Sequence, residues 1–292
     1  MPRRSPFTSL CMNLQAALHP VVADLHAHTT ASDGDFTPSG LVALAKQARL
    51  TALAVTDHDT LAGYPEAHAT GVTLGVRVVS GVECTAVWAG RELHVLGLFV
   101  DPADAEFAAH LAAVGRQRRA RFLALIDALA GQGVTFTPGM AEGLADRVPS
   151  LGRRHVAGLL VNTGVAATYG EAFGVYLKAV LPAVPPTHFT EFAEVTRRIH
   201  AAGGVTVLAH PPLSFGAAQF AELQAQGLDG LEAGHPSQWP ARAAELRSIA
   251  ANLGMLVSAG SDFHGTSATR RVGSHGLTRE PWVALSGRAV HS

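Results

Sequence analysis

Cysteine is scarce in this 292-residue sequence, which contains only Cys11 and Cys84. Two cysteines cannot build a disulfide framework, so we expect free thiols, a reducing compartment and a cytoplasmic protein. Long apolar runs are also missing, since none approaches the ~20 residues of a membrane span. The start of the chain lacks the apolar core of a signal peptide. We expect residues 1–20 to form a disordered leader, with Met12 as an alternative start.

Charge is scarce as well, because charged residues make up only 15% of the chain and the formal net charge is -1. A long nucleic acid needs many cationic contacts and an anionic membrane needs a positive surface, so the sequence predicts neither partner. The 48% hydrophobic content excludes a disordered chain. We therefore expect a folded protein in which any phosphate is bound by local groups.

Histidine is abundant by contrast, with 15 residues beside 3 tyrosines and 3 tryptophans. It is the commonest metal ligand and the usual acid or base near neutral pH. The stretch ADLHAHTTASDGD places His26 and His28 at the end of a predicted strand. Residues two apart in a strand point to the same face, ~7 Å apart. Two such imidazoles can hold one ion.

Short apolar runs alternate with helical patterns along most of the chain, which predicts a mainly parallel α/β sheet. Gly90 before the fourth run predicts a hairpin, and Thr37 with Pro38 predicts the start of the first helix. The predicted strands lie within residues 19–28, 50–58, 77–87, 91–100, 203–211, 227–236 and 254–264. Seven strands favour a barrel over an open sheet.

The alternation stops in the middle of the chain, where one helical pattern follows another without a clear strand. We predict that residues 102–186 form a helical insertion that caps the barrel and contacts substrate. Residues 21–101 and 187–292 would then form the barrel and its metal site.

Most of the polar residues in the predicted strands fall at carboxyl ends, which converge on one face of a parallel barrel. Carboxylates buried there without partners are costly, and metal ions would supply the missing positive charge. We therefore predict a metal centre from these residues: His26, His28, Asp57, His58, Asp59, Glu83, His94, His210, Glu232, His235, Asp262 and His264.

The same motifs make the chain resemble a known family. DLHAHTTASDG, TDHDT, GVE, HVLGL, AHP, LE and SDFHG occur in the order typical of the PHP (polymerase and histidinol phosphatase) family, over residues 21–101 and 187–265. Within the insertion, GRRHVAGLLVNTG and EAFGVYLKAVLPAVPP resemble a subfamily of nucleoside 3′,5′-bisphosphate phosphatases and 5′-to-3′ exoribonucleases. Arg154 departs from that pattern, which commonly has proline or threonine there.

This resemblance implies a distorted (β/α)7 barrel with two or three divalent ions, manganese first, with zinc or iron as alternatives. A metal-activated hydroxide would then attack the phosphorus. The ligands that it implies are His26, His28, Glu83 and Asp262 for one ion, Glu83, His94 and His210 for a second, and Asp33, His58 and His264 for a third.

Aspartates beside the ligands are predicted to orient imidazole N–H groups. They are Asp24, Asp57 and Asp59, with solvent exposure or strand-end capping as the alternative for Asp24 and Asp59. We interpret His235 as a candidate substrate contact or proton donor to the leaving group, and Glu232 as a candidate structural residue.

Arginines of the insertion are candidates for a second, non-scissile phosphate, because guanidinium groups bind phosphate through two hydrogen bonds. By resemblance these are Arg153 with His155, and Arg118 with Arg121. The alternative for Arg118 and Arg121 is a solvated or snorkelling position. Trp88 and Trp239 could stack on a base, or pack in the core or at the surface.

We predict a metal-dependent phosphoesterase that removes the 3′-phosphate of nucleoside 3′,5′-bisphosphates and also trims short RNA from its 5′ end. A small nucleotide or short oligonucleotide is the expected substrate. Histidinol phosphate phosphatase is one alternative, although the GRRH segment favours the nucleotide reaction. A metal-dependent amidohydrolase would also begin with His-x-His, but its bridging lysine is missing. A metal-binding domain without turnover is the third alternative, and such domains lose ligands that this chain retains.

Overall fold

The computed structural model describes residues 20–184, 189–265 and 270–288. Within these ranges no helix combines the length and the hydrophobicity needed to cross a membrane. The predicted leader lies outside the described residues, apart from Pro20.

The described residues form one eight-stranded sheet in the order β1-β2-β3-β4-β6-β7-β8, with β5 paired to β3 beside this path. The strands are β1 (Ala23–Asp24), β2 (Ala52–Val55), β3 (Arg77–Trp88), β4 (Arg91–Leu98), β5 (Thr190–Glu191), β6 (Val205–Leu208), β7 (Gly230–Gly234) and β8 (Leu256–Ala259).

The sheet is nearly closed. β1, β2 and β3 run parallel, as do β6, β7 and β8, whereas β4 is antiparallel to both its neighbours, β3 and β6. Beyond β8 the chain returns beside β1, where the Leu25 N–H donates to Ala259 O at 3.2 Å and the Asp262 N–H donates to His26 O at 2.8 Å. The seven strands of the main path, without β5, form the predicted distorted barrel, which is confirmed. The antiparallel β4 is its main distortion.

The predicted hairpin between β3 and β4 is also confirmed. Its two turn residues, Ala89 and Gly90, both have positive φ, at 47° and 72°, as in the turns whose twist matches that of the flanking strands. In the resulting register Thr85 lies opposite His94. Glu83 is two residues before Thr85, so the Glu83 and His94 side chains share one face of the hairpin.

Helices cover the sheet and build the insertion. The first begins as predicted, because the Thr37 hydroxyl accepts the Gly40 N–H at 3.1 Å and Pro38 follows it. The helices are α1 (Pro38–Gln47), α2 (Tyr64–Leu74), α3 (Ala105–Gly131), α4 (Met140–Arg147), α5 (Arg153–Asn162), α6 (Tyr169–Glu171), α7 (Lys178–Val180), α8 (Phe192–Ala201), α9 (Ala217–Ala225), α10 (Pro240–Leu253) and α11 (Arg279–Arg288), with a π-helical turn at Ala172–Leu177 and a 3-10 turn at Leu181–Ala183.

Helix α3 joins two hydrophobic cores. Phe107 and Leu111 in its first half pack among barrel residues. Phe122 and Leu125 in its second half belong to a separate core made from residues 122–184. All four side chains are at most 5% exposed, and burying each contributes ~1.5–3 kcal/mol. The helix therefore fixes the insertion against the barrel.

Candidate metal centre

The site lies at the carboxyl ends of the parallel strands, where barrel enzymes place their functional groups. His26 and His28 follow β1, His58 follows β2 and His210 follows β6. His58 is brought to β3 by a backbone bridge to Glu83. The described structure thus brings together side chains that are far apart in the sequence.

Glu83 is the common contact of five imidazoles, and its side chain is 1% exposed. The distances are 3.3 Å from Oε2 to His26 Nε2, 3.3 Å from Oε2 to His28 Nε2, 3.0 Å from Oε2 to His58 Nδ1, 2.8 Å from Oε1 to His94 Nδ1 and 3.0 Å from Oε1 to His210 Nε2. Burial alone would raise the pKa of Glu83, but His58 and the other imidazoles outweigh it and hold that pKa well below its usual range.

Polar atoms that lack any hydrogen-bond partner converge here. They are His26 Nε2, His28 Nδ1, His28 Nε2, Asp33 Oδ1, His58 Nδ1 and Glu83 Oε2, all shielded from solvent. Buried polar atoms are nearly always paired, and leaving one unpaired costs ~1–3 kcal/mol. Divalent cations would satisfy most of these atoms, with one of the two His28 nitrogens as a ligand, because a neutral imidazole offers a single nitrogen lone pair. Mixed nitrogen and oxygen donors suit manganese, iron or zinc, so the residues present fit a metal centre.

Among the residues that the structure describes, four groups of side chains have ligand atoms within 4.8 Å of one another. They are His28, Asp33, His58 and His264; His26, His28 and Asp262; His58, Glu83 and His94; and His26, Glu232 and His235. The sets differ from those implied by the resemblance, because His26, His28 and His58 each belong to two groups. All nine predicted ligands nevertheless lie in this one region, and their division among individual ions stays a prediction.

Glu232 has a clearer role than the structural one considered from the sequence. Its side chain is fully buried, Oε1 lies 2.9 Å from His26 Nδ1 and Oε2 accepts the His210 N–H at 2.7 Å. A carboxylate on one ring nitrogen fixes the orientation of the other. Glu232 therefore turns His26 Nε2 towards Glu83. The LE motif was the available signal for this role.

Asp24 and Asp57 were predicted to orient imidazoles, and that prediction is wrong for both. Asp57 accepts the Thr29 N–H at 2.7 Å. Asp24 accepts the N–H groups of Ser261 at 2.9 Å and Gly273 at 2.8 Å, and burial raises its pKa to about 6. Both carboxylates hold backbone segments that lead to the site, so capping describes them better.

The imidazole-orienting role is wrong for Asp59 too, because its carboxylate binds Arg118. Arg118 Nε lies 2.6 Å from Asp59 Oδ2, Nη2 lies 2.7 Å from Thr85 Oγ1 and Nη1 lies 3.2 Å from Leu151 O. This guanidinium joins the insertion to the barrel. Each of its three nitrogens has a partner within the protein, which favours a structural role over the phosphate-binding role predicted for Arg118, although the side chain also lines the cleft described below.

His155 is likewise occupied at both ring nitrogens. Nδ1 accepts the Gly152 N–H at 3.0 Å, which leaves the ring proton on Nε2, 2.8 Å from Ser32 O. Burial lowers the pKa of His155, consistent with a neutral ring. The structure does not support direct phosphate binding by His155.

A cleft opens beside the metal site. Arg121 and Arg153 line it, and Arg121 Nε is buried without a hydrogen-bond partner. Arg153 is half exposed and makes only a loose ion pair with Glu92, at 3.7 Å. Burial lowers the pKa of Arg121, and the like charge of Arg153 adds to the effect. Two adjacent guanidiniums favour an anion between them. Asp33, His58 and His94 of the metal site line the same cleft.

His235 does not line this cleft and is 2% exposed. Its Nδ1 accepts the Ser237 N–H at 3.0 Å and its Nε2 lies 3.2 Å from Asp262 Oδ2. This geometry places it behind the predicted ligands and does not support the substrate contact or proton transfer considered for it.

The aromatic residues of the cleft were missed in the sequence. Phe173 and Phe189 line it, whereas Trp88 packs against Phe215 at 5.4 Å between ring centroids. Trp239 is 52% exposed and does not line the cleft. Nothing in the local sequence distinguishes the two phenylalanines, because their position depends on how the insertion folds.

Arg270 was also missed, and it lies at the predicted ligand Asp262. Its Nη1 contacts the Asp262 carboxylate and donates to Asp262 O at 3.1 Å. Asp262 and His210 both have positive φ, 47° and 30°. Non-glycine residues rarely adopt this conformation, and functional sites are where such strain is retained.

A nearly closed α/β barrel with histidines and carboxylates gathered at its strand ends defines a class of metal-dependent hydrolases. The PHP domain profile matches residues 24–197. The chain belongs to the PHP family, and its assignment as a metal-dependent phosphoesterase is confirmed at the level of the class.

Two characterised relatives carry different names. The 5′-3′ exoribonuclease Rnm of Salmonella typhimurium is 35% identical over 257 residues, which are 84% of this chain and 85% of the relative. The 3′,5′-nucleoside bisphosphate phosphatase of Chromobacterium violaceum is 31% identical over 279 residues, which are 91% of this chain and 97% of the relative. A solved structure from Bifidobacterium adolescentis, assigned as a metal-dependent phosphoesterase, is 31% identical with a TM-score of 0.79 and covers 91% of this chain and 96% of its own.

Proposed function

We propose that the protein hydrolyses the 3′-phosphate of nucleoside 3′,5′-bisphosphates. The observation that carries the proposal is the cleft, whose lining combines predicted metal ligands with four arginines. Two of them, Arg118 and Arg154, are hydrogen-bonded to Asp59 and to Asp33 O, which leaves Arg121 and Arg153 for a phosphate. The scissile 3′-phosphate would lie at Asp33, His58 and His94. The 5′-phosphate would lie between Arg121 and Arg153.

The remaining lining of the cleft suits a nucleoside. Phe173 and Phe189 offer aromatic faces, and Phe122 and Leu125 are apolar. Base-on-aromatic stacking contributes ~1–3 kcal/mol per base. Histidinol phosphate carries a single phosphate and no purine or pyrimidine base, so it would leave both the arginine pair and this wall unused.

The residues of the chain prepare the site in three ways. Glu83 stays ionised despite its burial and attracts cations, and Glu232 fixes the direction of His26. Arg121 and Arg153 hold the distal phosphate and so orient the scissile one. When bound, divalent ions would supply a hydroxide nucleophile near neutral pH and neutralise the phosphoryl oxygens. We propose two or three ions, with manganese first and zinc or iron as alternatives.

Short RNA with a 5′-phosphate is a second candidate substrate, favoured by the Salmonella relative's name. Its 3′-phosphodiester presents the same phosphorus and the same 3′-oxygen leaving group, with the next nucleotide as an additional ester substituent. Cleavage would release the first nucleotide and leave a new 5′-phosphate on the remaining chain. The same arginine pair would hold its 5′-phosphate, so trimming would proceed from the 5′ end. The net charge of -1 favours short chains over long ones.

The test is phosphate release from adenosine 3′,5′-bisphosphate with added manganese, with histidinol phosphate in parallel. We expect release with 5′-AMP as the product, abolished by His58→Ala. Release only from histidinol phosphate would contradict the nucleotide proposal. Release from neither, with short 5′-phosphorylated RNA degraded, would favour the second candidate.

A further inference from the structure

The loop between β1 and α1 carries Asp33, a proposed metal ligand, on a segment outside both elements. The barrel holds the inner side of this loop through Asp57, which accepts the Thr29 N–H at 2.7 Å and the Ser32 hydroxyl at 2.6 Å. Asp33 Oδ1 itself is buried without a hydrogen-bond partner. Its position therefore depends on what holds the loop backbone.

Three successive carbonyl groups of the loop accept hydrogen bonds from the insertion. The bonds run from Ser150 N–H to Ala31 O at 3.1 Å, from His155 Nε2 to Ser32 O at 2.8 Å and from Arg154 Nε–H to Asp33 O at 2.9 Å. All three donors lie at or just before the start of α5. The insertion thus donates hydrogen bonds to the backbone carbonyls of three consecutive loop residues.

Both side-chain donors are themselves fixed. The Gly152 N–H on Nδ1 of His155 leaves the proton on Nε2, where it can only donate to the loop. The Arg154 guanidinium is held from the insertion by the Tyr169 ring, whose centroid lies 4.8 Å away, and it makes a further contact with the loop at the Asp35 carboxylate, 3.5 Å away. Contacts within the insertion therefore already order both side chains, and forming the loop contacts adds little entropic cost for them.

These contacts contribute substantially to the loop conformation. Each hydrogen bond contributes ~1 kcal/mol net, whereas fixing the backbone of one residue costs ~1–2 kcal/mol. Three bonds to three consecutive residues offset much of that cost. Without them, the loop keeps the Asp57 contacts, its internal bonds from Thr30 N–H to Phe36 O and from Gly34 N–H to Thr29 O, and the bond from Asp35 N–H to His264 O, but the carbonyls of residues 31–33 lose their partners in the insertion.

We infer that Arg154 and His155 are positioning residues that assemble the metal-binding group of His28, Asp33, His58 and His264. The inference rests on the proposed function in that it takes Asp33 as a metal ligand. The insertion then contributes to metal binding without supplying a ligand. The group of His26, His28 and Asp262 has no ligand within residues 31–33, the part of the loop that accepts these bonds.

Two substitutions at His155 test the roles of its two ring nitrogens separately. Asparagine carries its side-chain oxygen near the place of Nδ1 and keeps the bond from Gly152, but it lacks the distal donor. Glutamine carries its amide nitrogen near the place of Nε2 and keeps the donor to Ser32. Manganese binding is measured by titration calorimetry and by metal analysis after desalting, with circular dichroism as the check on folding.

We expect His155→Asn to bind one of its manganese ions about 10- to 100-fold more weakly than the wild type, as for other groups that orient ligands. This ion should then be missing from the desalted variant. His155→Gln should bind close to the wild type. Arg154→Ala should weaken the binding of the same ion. Its matched control is Arg119→Ala, since Arg119 pairs at 2.6 Å with Asp146 inside the insertion.

Unchanged manganese binding in His155→Asn would overturn the inference, and so would equal losses in His155→Asn and His155→Gln. The phosphate-release assay on the wild type is read separately. A wild type that binds manganese without releasing phosphate would refute the proposed function and leave the comparison of these variants intact.

Discussion

Arg118 and Arg121 lie three residues apart on α3, yet their substitutions should have opposite effects. We consider Arg118→Met and Arg121→Met, which both keep an unbranched apolar side chain. The Arg118 side chain is 11% exposed and its Asp59 partner is 2% exposed. Removing one member of a buried ion pair costs about 3–5 kcal/mol, because the other charge stays buried without a partner. Arg118→Met should therefore lower the free energy of unfolding by about that amount.

Arg121 has no such partner at its buried Nε, so Arg121→Met should leave stability almost unchanged or raise it. The effect of Arg121→Met should appear as weaker substrate binding instead. A hydrogen bond to a charged group contributes about 1.5–3 kcal/mol, and each 1.4 kcal/mol corresponds to a factor of ten. We expect KM for adenosine 3′,5′-bisphosphate to rise about 10- to 100-fold.

Urea unfolding followed by circular dichroism measures the first effect, and manganese-dependent phosphate release measures the second. Asp59→Asn combined with Arg118→Met should cost less than the two single changes added together. A stable Arg118→Met variant with a raised KM would refute the assignment of Arg118 to structure. An unstable Arg121→Met variant with normal KM would refute the assignment of Arg121 to phosphate.

Three other predictions follow from single contacts. Glu232→Gln should weaken manganese binding about 10- to 100-fold in calorimetry, because it loosens His26; unchanged affinity would contradict the orienting role. Gly260→Ala would place a Cβ 2.3 Å from the His26 Cβ and 2.5 Å from its backbone nitrogen. The melting temperature and the manganese content should therefore both fall, and unchanged values of both would refute the crowding argument. The Asp229 carboxylate, 2.7 Å away, raises the pKa of His200, so this pair stabilises fully below about pH 6.5 and less as pH rises through the raised pKa. His200→Asn should thus destabilise more in acid than in alkali, and a pH-independent effect on urea unfolding would contradict the charge argument.

Much of the barrel and its ligands could be predicted because the signal is local. His26 and His28 share one strand end, and the alternation of strands with helices fixes where the other strand ends meet. The hairpin at Gly90 needs only the conformational preference of two turn residues. Such features depend on the period of the pattern and on residues close in sequence.

The side-chain partners could not be predicted in the same way. Asp57 and Asp59 stand beside a ligand in the sequence, but neighbours along an extended chain point in opposite directions. Arg118 meets Asp59 only because the packing of α3 brings its side chain to Asp59, after β2, and to Thr85 of β3. The loop contacts of His155 likewise depend on the packing of the insertion against the barrel, which no local pattern encodes.

The most direct test of the account is the manganese-to-protein ratio of the wild type and Glu83→Gln, measured by elemental analysis after loading and desalting. Glu83 contacts five imidazoles and is the only carboxylate among the described residues that does so. We predict two or three ions per wild-type chain and fewer than one in the variant. A wild-type ratio near zero, or an unchanged ratio in Glu83→Gln, would contradict a metal centre built around this residue.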